Sequence, residues 1–93
     1  MEKILCAAIH IDDGIDHDHL AQRSVLGNGY VICGHSHAEI RKVVSILNIV
    51  GRINEGFLTS YDRFVSRKTA AEIALGAGQI KCKVFELTSN LIN

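Results

Sequence analysis

The chain has 93 residues, and its ten Lys and Arg balance ten Asp and Glu, which removes the broad positive field that binding to a DNA or RNA polymer needs. Apolar residues make up 47% of the sequence, with no tryptophan and 5% aromatics, so residues 1–93 read as a single domain with a thin core of Ile, Val, Leu and Ala, of a size that favours a homo-oligomer. No apolar run reaches the ~18 residues of a membrane span and no signal-peptide cleavage region is visible, so the expectation is a cytoplasmic protein without a membrane partner.

The first predicted element is a strand over Ile4–Ile11, an unbroken apolar run closed by the turn signal Asp12-Asp13-Gly14. A polar loop with Asp16-His17-Asp18-His19 follows from Ile15 to Asn28, and Tyr30–Cys33 is a second strand. Gly34 then turns the chain into a helix. Ser36 and Glu39 form a Ser-x-x-Glu capping box, Ile40, Val43, Val44 and Leu47 share one face, and Gly51 supplies the stop. Arg52–Gly56 reads as a loop, Phe57–Ser60 as a short strand, Tyr61-Asp62 as a tight turn and Arg63–Val65 as the return strand of a hairpin. Ser66 caps a second helix of about three turns, whose Ala70, Ala71, Ile73, Ala74 and Ala77 make a smooth apolar face and which Gly76 and Gly78 weaken and end. Ile80–Leu87 alternates Ile80, Cys82, Val84 against Lys81 and Lys83, the signature of a strand with one wet face. The expected fold is α/β (α+β): a two-layer sandwich, a small mainly antiparallel sheet of about four strands with two helices on one face.

Cys6, Cys33 and Cys82 are odd in number and set in apolar stretches without a CxxC pair, so they read as reduced core thiols. Two other clusters carry candidate chemistry. At Gly34-His35-Ser36-His37 a strand feeds a helix N-terminus, where unpaired backbone N–H groups and the positive end of the helix favour an anion that His35 and His37 could also bind; an ordinary glycine turn with a capping serine explains the same residues. Around the second helix start, Arg63, Arg67 and Lys68 oppose the helix dipole at a cost of about 0.3–1 kcal/mol unless an anion, or a carboxylate such as Asp62 or Glu72, compensates.

A metal reading uses Asp16, His17, His19, His35 and His37 as ligands for zinc or manganese, although their spacing matches no structural zinc pattern. Gly34-His35-Ser36-His37 resembles the terminal Gly-His-x-His motif of calcineurin-like metallophosphoesterases, but the other blocks of that family are missing. No nucleophile elbow, Walker loop or dinucleotide fingerprint is present, so no cofactor is implied.

The words Gly56-Phe57-Leu58-Thr59-Ser60, Arg63-Phe64-Val65, Arg67, Ala70-Ala71, Ile73-Ala74 and Ala77-Gly78-Gln79-Ile80, with Cys6-Ala7-Ala8-Ile9 and Val31 to His37, resemble a module of small phage and prophage proteins. Phage proteins of this size include anti-defence sponges that sequester the cyclic-nucleotide or cyclic ADP-ribose signals of bacterial immunity, of the anti-CBASS or anti-Thoeris type. The resemblance therefore implies a cytoplasmic protein of an infected or lysogenic bacterial host that binds a small phosphorylated nucleotide without catalysis. In that reading Arg63 and Arg67 hold phosphate, and His35, Ser36, His37 and Thr59 supply hydrogen bonds. Tyr61 or Phe64 stacks on a base. The alternatives are a metal-dependent phosphoester hydrolase built on the His cluster and a phage inhibitor that contacts a host protein directly.

Overall fold

The structure, a computed structural model, describes residues 1–14 and 29–91. Strand β1 (Ile4–Asp12) is followed by β2 (Tyr30–Gly34), helix α1 (His37–Ile46), β3 (Arg52–Thr59), β4 (Phe64–Ser66), helix α2 (Arg67–Gly76) and a single 3-10 turn at Ser89–Leu91. The four strands form one antiparallel sheet in the order β2-β1-β3-β4. Alternation along the central strand β1 sorts the two faces. Ala7, Ile9 and Ile11 point to the layer of both helices, where they pack with Phe57, Val65, Ile40 and Val44 of α1, and Ala70, Ala71 and Ala74 of α2. On the opposite face Ala8, Leu58 and Phe64 form a second cluster, flanked by Cys6, Val31 and Cys33. The expected small α+β fold, with two helices on one face, is what the chain adopts.

Both helix starts follow from their serines. The Ser36 hydroxyl accepts from the Glu39 amide at 3.3 Å, and the Ser66 hydroxyl from the Thr69 amide at 3.2 Å. Helix α2 ends where expected: Gly78 takes φ +74° while the Gln79 amide donates to Ala74 and that of Gly78 to Leu75, the paired hydrogen bonds of a Schellman motif. Helix α1 ends the same way but earlier than predicted. Asn48 adopts φ 51°, with Ile49 donating to Val44 and Asn48 to Ser45, so asparagine and not Gly51 supplies the left-handed residue. The apolar face of α1 is also narrower than expected, since Ile40 and Val44 are buried but Val43 and Leu47 are exposed.

Three expectations are corrected. Arg52–Gly56 is no loop: β3 begins at Arg52 and pairs along β1, with Arg52 opposite Asp12, Asn54 opposite His10 and Gly56 opposite Ala8. Its polar residues and glycine imitate a loop, yet the glycine answers a close approach, because a Cβ there would lie 2.1 Å from the Val65 carbonyl oxygen and 2.6 Å from the Phe64 ring. The return strand is Phe64–Ser66, one residue later than read. Ile80–Leu87 is no strand either; Ile80 and Leu87 are buried at the ends of the segment and Val84 is half-buried, while Cys82 and Phe85 are exposed. Alternation makes a strand only where an edge accepts it, and here the segment packs Ile80 and Leu87 into the helix-face core, with the Leu87 amide donating to the Arg67 carbonyl at 3.0 Å. Cys82 is therefore not a core thiol, and Cys6 and Cys33 are only half-buried. The predicted loop from Ile15 to Asn28 lies outside the described residues.

Candidate functional site

The junction of β2 and α1 separates the two histidines that the sequence set side by side. His35 is exposed, whereas His37 is 3% exposed and its Nε2 lies 2.7 Å from the Gly56 carbonyl oxygen. The His37 ring meets Phe57 edge-on, with centroids 5.0 Å apart. Burial pushes the His37 pKa below its ordinary value against the pull of the Gly56 hydrogen bond, so the ring is neutral and Nε2–H donates. Its Nδ1 is buried without a hydrogen-bond partner. His37 thus ties the first turn of α1 to β3, and the structure does not bring the two imidazoles to one point.

Of the three basic residues at the start of α2, Arg63 and Arg67 meet carboxylates, whereas the Lys68 ammonium lies 5.2 Å from the centroid of the Phe85 ring. Arg67 donates to Glu55 at 2.5 Å, and Arg41 of α1 ion-pairs with the other Glu55 oxygen. Glu55 therefore joins both helices to β3 from the helix face. Burial works to raise the Glu55 carboxyl, but the hydrogen bonds from Arg41 and Arg67 outweigh it and hold the group below its usual range. Arg63 grips Glu2 through Nε at 2.6 Å and Nη2 at 2.7 Å, a bidentate pair that leaves Nη1 for another acceptor. With the Thr59 hydroxyl donating to the same carboxylate at 2.6 Å, Arg63 and Thr59 together lower the Glu2 pKa to about 2. Thr59 is fully buried and its oxygen also accepts from the Tyr61 amide, while the Tyr61 ring stands in solvent.

Beside Arg63 a groove of about 570 Å3 opens along the sheet edge. It exists because β4 pairs with β3 only over Gly56–Leu58, and among the described residues no strand covers Ile53, Asn54 and Glu55 on that side. Those three form one wall; Arg63, Phe64, Ser66 and Thr69 form the other. Ser66 and Thr69 belong to the N-terminal turn of α2, which contains no acidic residue, so the positive end of the helix is not offset locally.

A family model described as "Phage T4 y16D protein" matches residues 3–92. The chain belongs to the phage T4 y16D family. Its small-phage-protein character, expected from the sequence words above, is thereby shown. No curated protein and no solved structure matches the chain.

In this y16D family member, Arg63 and Phe64 are the candidates that line the groove. Arg67 turns to Glu55, His37 to Gly56 and Thr59 to Glu2, while Ser36 caps α1. Of the alternative metal ligands, Asp16, His17 and His19 lie outside the described residues, and among the described residues no group of three or more His, Cys, Asp or Glu could hold a metal. Sequence reasoning missed Glu2, Asn54 and Glu55. Glu2 is 61 positions from Arg63, and Asn54 and Glu55 sat in an apparent loop, so neither carried a local signal. Among the described residues no helix is long and apolar enough to cross a membrane.

Proposed function

We propose that this y16D family protein is a non-catalytic phage binding protein whose groove along β3, β4 and α2 takes a small phosphorylated, cyclic-nucleotide-like signal of the host's defence and sequesters it. The observation that carries this reading is the groove itself, which sets a guanidinium, an aromatic residue and an acid-free helix start in one opening. Glu2 fixes the Arg63 fork and leaves Nη1 for a phosphate oxygen, the Ser66–Thr69 turn adds helix-terminal N–H polarity, and the Asn54 amide, whose nitrogen lies 3.2 Å from His10 Nδ1, offers its oxygen to a base edge. Tyr61, 61% exposed beyond the turn, is the surface aromatic nearest in sequence to this wall.

The test is a thermal-shift and calorimetry panel of cyclic di- and trinucleotides and ADP-ribose derivatives against the full chain. One member should raise the unfolding temperature, and Arg63→Ala should weaken its binding about tenfold or more. Asn54→Ala, which leaves both arginine pairs in place, should weaken it less. Undiminished affinity in both variants, or no shift across the panel, removes this reading.

A second reading, direct contact with a host protein, is favoured by one observation. Val43, Ile46, Leu47 and Val50 are exposed around the end of α1, Ile46 at 70% and Val50 at 82%, more apolar surface at one helix end than a solvated domain needs. It predicts no nucleotide shift and a host partner that Ile46→Glu releases.

A further inference from the structure

Strand β1 carries Cys6 and strand β2 carries Cys33, and the register that sets Ala8 opposite Cys33 makes the two cysteines diagonal neighbours across the ladder. They share the face turned away from the helices, both packed against the cluster of Ala8, Leu58 and Phe64. Both are half-buried, neither is in a disulfide, and their thiols hydrogen-bond one another. Two sulfurs in contact across adjacent strands are a dithiol, chemically distinct from the lone, exposed Cys82.

We infer that Cys6 and Cys33 are a reversible modification site, which closes to an intramolecular disulfide by exchange with a low-molecular-weight disulfide. In the first step the Cys6 thiolate attacks one sulfur of the reagent RSSR. The S–S bond breaks, RS⁻ leaves and takes up the proton that Cys6 lost, and a Cys6–SR mixed disulfide remains. In the second step Cys33 gives up its proton and attacks Cys6 Sγ, forming the Cys6–Cys33 bond and releasing a second RSH. The protein loses two hydrogens and the reagent gains them.

The order of attack follows from the surroundings. Burial, reinforced by the Cys6 thiol, pushes the Cys33 thiol up to about 12, so Cys33 stays protonated and serves as the resolving group. Diagonal ladder neighbours typically stand roughly 7–8 Å apart, beyond the Cα separation a disulfide spans without backbone movement. Closure therefore requires β2 to slide along β1 locally at Cys33, which its position at the sheet edge permits. A bond closed in this way is readily reduced again, the behaviour of a responsive site and not of a structural staple. Closure also joins residues 6 and 33 covalently, restricting the unfolded chain between the strands and raising the unfolding temperature.

The test uses the full chain with Cys82→Ser, equilibrated in buffers of oxidised and reduced glutathione, quenched in acid, alkylated and weighed by mass spectrometry. As the oxidised fraction rises, the protein should lose two hydrogens and both alkylatable thiols together, yield a peptide linking Cys6 to Cys33, and unfold at a higher temperature that dithiothreitol reverses. The further variant Cys33→Ser should stop at one glutathionyl group on Cys6. If both thiols stay alkylatable at every glutathione ratio, or each takes its own glutathionyl group in the folded protein, or the bond forms no faster in the native chain than in urea, the inference is wrong.

Discussion

A single buried ring sets the clearest pH dependence. His37 is held neutral, with Nε2–H on the Gly56 carbonyl and Arg67, Glu55 and Arg41 as its charged neighbours. Its folded pKa lies below the value of an unfolded histidine, near 6.5. The unfolded chain therefore binds the proton first as pH falls. The stabilisation is complete above about pH 6.5 and declines as pH drops toward the folded value. Denaturant midpoints measured from pH 7.5 down to 5 should fall, and the fall should be smaller in His37→Gln, whose amide keeps a donor for Gly56 without titrating. Parallel pH curves for the two proteins would place the acid sensitivity elsewhere. The sequence singled out His37 with His35 as a candidate anion binder, but its hydrogen-bond partner is 19 residues away, so whether the ring faced a ligand or a strand was not legible.

At the scale of elements, the helix ends separate two glycines that look alike in sequence. An added Cβ meets nothing within 4 Å at either Gly76 or Gly78, but Gly78 holds φ +74° and Gly76 is the last residue of α2. Gly78→Ala should therefore lose about 1 kcal/mol through backbone strain, and Gly76→Ala should gain about 0.5–1 kcal/mol by limiting the unfolded chain. Urea denaturation of both variants checks the pair of signs; the same sign in both would contradict the Schellman ending. Serine caps, turn residues and helix period are local, so Ser36, Ser66, Asp62 and the alanine face of α2 could be read from neighbouring residues alone, whereas the face of α1 was read too wide. Strands are not local. Arg52–Glu55 became strand because it pairs along β1, whereas Ile80–Leu87 turns Ile80, Val84 and Leu87 into the core instead of pairing along an edge, although its alternation was the more regular of the two.

For the molecule as a whole, Glu55 is the tie between layers, since Arg41 of α1 and Arg67 of α2 both close on it from β3. Glu55→Gln keeps the shape and removes the charge. It should lower stability by about 1 kcal/mol, because a pair with 24% of its side chains exposed remains partly screened by water. The loss should shrink as salt is raised, which denaturant curves at low and high ionic strength will show; a salt-independent difference would point to packing instead. A second long-range tie closes the far end of the sheet, where the Gln79 side chain both donates to and accepts from the Ile4 backbone at 2.8 Å. It supplies β1 with a strand-like partner beside the register irregularity between Ile4 and Cys6.

What the sequence determined by itself was the class of fold, the two helix starts, the hairpin turn and the small-phage-protein character, all of which are legible in residue order without the distances between elements. Only the tertiary structure decided which charges meet. For Arg63 and Arg67 the sequence offered an anion or the nearby Asp62 and Glu72 as compensation, yet each is paired with a carboxylate distant in sequence, Glu2 and Glu55, and the opening beside Arg63 arises from the length mismatch between β3 and β4. Charge pairing and cavity shape depend on the distances between chain segments brought together by folding, and one-dimensional periodicity does not encode those distances.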